Sequence, residues 1–558
     1  MAFNPSHFIV AIALVQSLAA CSSASLPAPD KEIAAQESRL SKGEPTISSP
    51  PLPEPKTLEK SAPTKLIGNQ DRFGERILRP LLAIDSDAAA PLPDVLSDGA
   101  EVSYIVVDLE RGIPVAQHNA DHDQIPASSA KLATAVIALQ LLGPEHRFLT
   151  ELRATGPIEN GVLKGDLILK GGGDPVLDIP DLLPLIDELA SRHVRSIEGR
   201  FLIDDTLLPR FAEIEPSQPT EAAYNPGLGA LSLAFNRVNL RWNKRGALTA
   251  ETVPHLDEAS FESAASDLMP PGGVQLKQID VEGAIWQLAD KGARRSKRSL
   301  PVKDAGLHAG QVFAHLTGLY GIELPAPKRV TEATDGRLLA VHKSRPLRLL
   351  VRDMLWYSNN LVAEMIGLAA AMTVEPELAS LENSAAIVLG ELEKRLSHIS
   401  WDKARLNNHS GLNSESRLTS EQLAAVLRHG WRDGTLTGLL PASGWSGTLA
   451  RRFNSPDQAF RIWAKTGSMN YVTTLGGYLL SPSHSPAAFV IMISDQNART
   501  AYDAEPRRTR ASEKRARAWK DNAELVMNHI VEGWLAPAAI HSSRNLYALT
   551  EANKESAH

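Results

Sequence analysis

Strand-forming runs stand near both ends of this chain, and only a sheet assembled from distant segments can bury them together. Residues 102–109 ("VSYIVVDL") and 113–117 ("IPVAQ") are joined by Glu110-Arg111-Gly112, a hairpin signal. Three more short runs, in "FRIWAKTG", "YVTTLGGYLL" and "AAFVIMIS", stand close together near the other end and are followed by a helical stretch. Helical patterns lie between, so an α+β domain is expected whose sheet unites the two ends. With 558 residues, 43% of them hydrophobic, the chain can build two or three cores.

Straight after the first hairpin, "PASSAKLATAVIALQLLG" is apolar on every side and stops at Gly143, which predicts a buried helix with a glycine cap. Ser128 and Lys131 stand at i and i+3 at its head, one turn apart on one face. A lysine among Leu132, Ala133, Ala135 and Val136 is desolvated, and desolvation favours its neutral form. Such an amine can take the proton of a serine hydroxyl and make it a nucleophile. The spacing alone is weak, because it recurs at Ser400 and Lys403, and a lysine snorkelling from a core helix explains it better.

Ahead of the folded part, residues 8–20 are apolar and end in Leu18-Ala19-Ala20-Cys21. That length suits a signal-peptide core and falls short of the roughly 20 residues of a spanning helix. Leu-Ala-Ala-Cys resembles the bacterial lipobox, which would make Cys21 the lipidated first residue, although only His7 and no Lys or Arg precedes the apolar core. Cys21 is the only cysteine, which excludes a disulfide framework or a cysteine-built zinc site, and the sixteen histidines show no metal spacing. A net charge of -7 without a basic, aromatic-interleaved stripe excludes a nucleic-acid partner. The basic run at residues 507–520 reads as the solvated face of the last helix.

Two further motifs follow in chain order: Ser358-Asn359-Asn360 in a helical region and Lys465-Thr466-Gly467 on a strand. Ser-x-Asn alone recurs by chance, at Ser468-Met469-Asn470 and Ser543-Arg544-Asn545. The ordered set of three is the signature of serine penicillin-recognising enzymes. From about residue 75 to about 535 the chain resembles the D-alanyl-D-alanine carboxypeptidase/endopeptidase family, the class C low-molecular-mass penicillin-binding proteins, with "GGGDPVL", "LIDDTLLP" and "NHSGLNSESRLTSEQLAAVL" in the family's order.

The resemblance implies a transpeptidase-like domain, a five-stranded antiparallel sheet with helices, carrying a large, mostly β insertion. Ser128 would attack the carbonyl between the last two D-alanines of a peptidoglycan stem peptide, and Lys131 would take its proton. Ser358 would relay protons to the leaving amine, and Asn360 would position substrate with Lys131. Lys465 and Thr466 would hold the terminal carboxylate, with Gly467 leaving room, and the Ser128 and Ser468 N–H groups would form the oxyanion hole. Asp174 matches the family's acidic residue for the stem's diamino acid. Two departures are Asn359, where many relatives have Asp, and Ser414, where some have an arginine, with Arg417 three residues on.

These readings divide the chain into a signal peptide (1–20), a Pro-rich tether (21–70), a peptidase domain (71–151 and 301–536), an inserted mostly β part (152–300) and a tail (537–558). An exported protein of the periplasm or cell envelope is expected, with Ser22 after Cys21 resembling outer-membrane sorting. Expected partners are stem peptides, β-lactams as covalent inhibitors and a membrane through the N-terminal lipid, without any cofactor; a homodimer is left open. Two alternatives stand beside this reading: a β-lactamase or esterase using the same serine, and a catalytically silent wall-binding scaffold. Against a class A β-lactamase, the chain has no Glu-x-x-Leu-Asn.

Overall fold

The computed structural model describes residues 81, 96 and 99–535, apart from 243–247, 251–260, 265–273, 281–282, 290–295, 483 and 506–508. The N-terminal apolar stretch, Cys21, the tether and the tail after 536 lie outside the described residues.

Strand β1 (Glu101–Asp108) turns through Gly112, at φ 75°, into β2 (Pro114–His118). A 3-10 turn over Ala127–Ala130 then runs into α1 (Lys131–Leu142). Every residue of α1 from Lys131 to Leu139 is buried, which is why its sequence carries no polar face. Gly143, at φ 86°, ends it and donates its N–H to the Leu139 carbonyl.

A second sheet begins with β3 (Leu149–Ala154) and β4 (Leu167–Gly171), and continues through α2 (Ile179–Ser191), β5 (Phe201–Asp204), α3 (Ala305–Leu319), β6 (Lys328–Arg329) and β7 (Arg337–Lys343). Its strand order is β6-β5-β4-β3-β7. Leu152, Leu169, Phe201 and Ile203 pack with Leu185 and Leu189 of α2 and with Val312 and Phe313 of α3 in one core. The expected boundary at residue 300 therefore cuts through this unit, since α3 joins its core and β7 pairs with β3. The reason lies in β7: it is an edge strand with Leu339 as its one buried residue, so "RLLAVHK" shows no clean alternation. Among the described residues, three further three-stranded sheets lie between 158 and 301.

Helices α4 (Leu347–Tyr357), α5 (Asn360–Met372), α6 (Leu381–Arg395) and α7 (Ser420–Arg432) follow and share a core with α1. The chain then returns to the first sheet with β8 (Ile462–Met469), β9 (Val472–Leu479) and β10 (Ala487–Ser494), and ends in α8 (Gln496–Asp503) and α9 (Arg510–Leu535). The order is β8-β9-β10-β1-β2 with every pair antiparallel, so the two ends of the chain meet where β1 lies beside β10. Alternation divides its faces: Ile105, Val107, Val490 and Met492 meet the α1 core, whereas Val106, Phe489 and Ile491 meet Trp519, Met527 and Trp534 of α9. In α9, Ser512, Ala516 and Trp519 are buried while Lys514, Arg515 and Arg517 are exposed, so these basic residues form a solvated face.

Candidate active site

Ser128 lies in the 3-10 turn that precedes α1, and two glycines let other segments close on that turn. A Cβ on Gly411 (φ 74°) would stand 1.8 Å from the Ala127 carbonyl oxygen. One on Gly467 of β8 would stand 2.1 Å from Thr474 Oγ1 and 3.0 Å from the Pro126 oxygen and the Ser129 nitrogen. Glycine at 467 thus brings the edge strand β8 against the serine turn, and Thr474 Oγ1 donates to the Pro126 carbonyl at 3.2 Å to fix the approach.

Lys131 is fully buried, and its amine has three oxygen partners. Nζ lies 3.0 Å from Ser128 Oγ, 2.9 Å from Asn360 Oδ1 and 2.7 Å from the Ser410 carbonyl oxygen. Burial lowers its pKa to about 7, the Glu364 carboxylate opposing that fall. A large fraction of Lys131 is therefore neutral near pH 7, and its lone pair can accept the Ser128 proton across the same 3.0 Å contact.

Ser358 links α4 to α5 in the left-handed region, at φ 56° and ψ 36°, a conformation unusual for a residue with a side chain. It lets one helix start where the other stops, with Ser358 Oγ accepting from Lys465 Nζ at 2.9 Å. Asn359 caps α5, accepting the Val362 N–H at 3.2 Å; Asp would cap it equally, so this departure leaves the site's geometry unchanged. Asn360 bridges two parts of the molecule, since Oδ1 meets Lys131 and Nδ2 donates to the Tyr224 carbonyl at 3.0 Å. Lys465 is also fully buried and donates to the Thr466 carbonyl; burial first, and the charge of Lys131 second, hold its pKa well below the usual lysine range. Thr466 Oγ1 meets Thr448 Oγ1 at 2.9 Å, and Ser468 is exposed on the same strand. Residues 441–443 pair with the start of β8 as far as Ala464, and the outer edge beyond it, from Lys465, can take an extended peptide as an added strand.

Ser128, Lys131, Ser358, Asn360 and Lys465 are thus brought together from three segments of the chain. Asp174 is not among them. It is buried, accepts the Val176 N–H at 3.0 Å, and its other oxygen lies 3.4 Å from His342 Nε2 of β7, so its partners belong to the second sheet's surroundings. Ser414 donates to Asp503, and Arg417 donates to the Ser414 and Ser416 carbonyls. Ser400 lies outside any helix, exposed and hydrogen-bonded to Asp402 at 3.1 Å, so it does not form a second serine–lysine pair with Lys403.

The Ser410 carbonyl that meets Lys131 escaped the sequence reading, as did Tyr224 and Glu364. Tyr224 enters through its main chain, which leaves no residue signature. Glu364 had a signal: it is the one charged residue in "NLVAEMIGLAAAM", four positions after Asn360.

Residues 85–513 match the D-Ala-D-Ala carboxypeptidase 3 (S13) family. The chain is 27% identical over 464 residues to a D-alanyl-D-alanine carboxypeptidase of Actinomadura sp., covering 77% of this chain and 84% of the relative. It is 26% identical over 453 residues to the D-alanyl-D-alanine carboxypeptidase DacB of Haemophilus influenzae, covering 75% and 90% respectively. The crystal structure of penicillin binding protein 4 from Haemophilus influenzae has the same fold, with a TM-score of 0.64 at 24% identity over 78% of this chain and 98% of that one. That protein has also been solved complexed with a β-lactam.

Proposed function

The chain belongs to the D-Ala-D-Ala carboxypeptidase 3 (S13) family, and from that premise we propose the residue roles by which it acts as a serine DD-peptidase. It is a serine-type hydrolase of peptidoglycan stem peptides and a penicillin-binding protein of the cell envelope. The observation that carries the assignment is the buried Lys131 amine, which reaches Ser128 Oγ and Asn360 Oδ1 together.

Ser128 Oγ adds to the carbonyl carbon between the last two D-alanines while its proton passes to Lys131. The oxyanion is held by the N–H groups of Ser128 and Ser468. The C–N bond then breaks, the leaving amine receives a proton through Ser358, and free D-alanine departs from an acyl-Ser128. Water adds to the ester carbonyl as its proton passes to the site's base; the bond from that carbon to Ser128 Oγ then breaks, Oγ takes the proton back, and the shortened peptide leaves. Lys465 and Thr466 bind the carboxylate beside the scissile bond. Where the cross-linked diamino acid carries a second carboxylate on the carbon bearing its side-chain amine, that carboxylate also stands beside the leaving amine, so the same residues can cleave the cross-link as an endopeptidase. Incubation with a pentapeptide ending in D-Ala-D-Ala should release D-alanine in the wild type and not in Ser128→Ala. Equal release by both would remove Ser128 from the mechanism.

At the N-terminus we propose that Cys21, after Leu18-Ala19-Ala20, is lipidated and anchors the exported protein, with Ser22 favouring the outer membrane. Globomycin, which blocks lipoprotein signal cleavage, should make precursor accumulate in cells; unchanged processing would contradict the anchor.

A further inference from the structure

Asn360 opens α5, and one turn later the same face of that helix buries Glu364 completely. Glu364 Oε2 accepts the His409 N–H at 2.9 Å, and Oε1 accepts the Ser410 N–H at 2.8 Å. The carbonyls of these two residues serve α1: that of Ser410 accepts from Lys131 Nζ at 2.7 Å, and that of His409 accepts from Thr134 Oγ1 at 2.9 Å. The carboxylate therefore grips the N–H groups of a segment whose carbonyls hold the lysine's helix. An oxygen pair that receives two backbone donors is suited to the anion, and a fully buried anion needs a counter-charge. Burial raises the Glu364 pKa, and the hydrogen bonds from Ser410 and His409 together with the charge of Lys131 oppose that rise and favour the anion.

We propose that Glu364 is a positioning residue for acylation: it holds the Ser410 carbonyl on Lys131 and, as a buried anion, sets the pH at which Lys131 gives up its proton and becomes the base. The inference rests on Lys131 being the base of the reaction proposed above. Glu364 faces Lys131 from α5 and Lys465 faces it from β8. His409 is neutral in the working range, since burial lowers its pKa to about 3 and its Nε2 pairs with Ser384 Oγ at 2.7 Å. The balance on Lys131 is therefore burial, which favours the neutral amine, against one buried carboxylate, which favours the cation.

The test is the pH profile of covalent penicillin attachment for the wild type, Glu364→Gln and Glu364→Asp. Gln keeps the shape but removes the charge and turns an amide N–H₂ toward a backbone N–H. Its acid limb is expected to move to lower pH by about 1–3 units, the effect of an opposite charge at close range. Its plateau rate should fall about tenfold or more as the hydrogen bonds to a charged group are lost. Asp withdraws the charge by one methylene, and its limb should move in the same direction by less. Limbs that stay at the wild-type position in both variants, whatever the plateau rates, overturn the inference and leave Glu364 a structural carboxylate. If the Gln variant does not fold, the Asp limb decides alone by the same criterion. A wild type that takes no label overturns the acyl-serine reading itself, an outcome distinct from an unmoved limb.

Discussion

Replacing Lys131 by methionine is expected to slow the acylation of Ser128 by about 10²–10⁴-fold at neutral pH, the usual loss when a positioned proton acceptor is removed. The wild-type rate should carry an acid limb near pH 7, because only the neutral amine accepts a proton and burial has lowered Lys131 to about 7. Below that limb the rate falls tenfold per pH unit, and above it the rate levels off. Methionine has no titrating group, so the variant should lose the limb as well as the rate. Methionine also fills the site, which keeps a cavity from being the cause of the loss. Stopped-flow measurement of penicillin attachment across pH, with a thermal melt of each protein, checks this. A variant that retains the limb would show that another group supplies the base.

Lys465→Ala should have the next largest effect, of a kind that separates recognition from chemistry. Its amine lies in a fully buried position and keeps a proton there only at a cost, since burial and Lys131 both disfavour the charge. A substrate carboxylate provides the missing counter-charge, so binding should draw a proton onto Lys465. Losing a charged hydrogen bond costs about 1.5–3 kcal/mol, or roughly 10–150-fold in kcat/KM. A peptide ending in D-Ala-D-Ala should show this loss in full. The same peptide with its terminal carboxylate amidated should already react slowly with the wild type and lose little more in the variant. Equal losses for acid and amide would assign Lys465 a different role, such as orienting Ser358 through their 2.9 Å contact.

Much of this molecule was legible in the sequence wherever one residue type served one physical need. The apolar run after Lys131 could only be a central helix, and the strands at the two ends had to share a sheet because neither set could be buried alone. The three motifs were legible for the same reason, as glycine at 467 is required by a strand that passes within contact of the serine turn. The sequence was a poorer guide where burial and periodicity part. Strand β7 lies at a sheet edge with a mostly exposed face, so its alternation is weak and the inserted part was expected to end too early. Asp174, expected in a substrate subsite from its motif, is buried beside His342. Glu364 was visible as a lone charge in an apolar helix, yet its purpose depends on backbone N–H groups 45 and 46 residues away, which no local pattern encodes.

One buried lysine makes one serine reactive, and site-resolved labelling is the experiment that decides this. Residues 71–558 would be treated with a fluorescent penicillin beside Ser128→Ala and Ser400→Ala, with the labelled peptide identified by mass spectrometry. One equivalent of label is expected on Ser128, lost only in Ser128→Ala and retained in Ser400→Ala. Label on another residue, or no label on a protein shown to be folded, would contradict it.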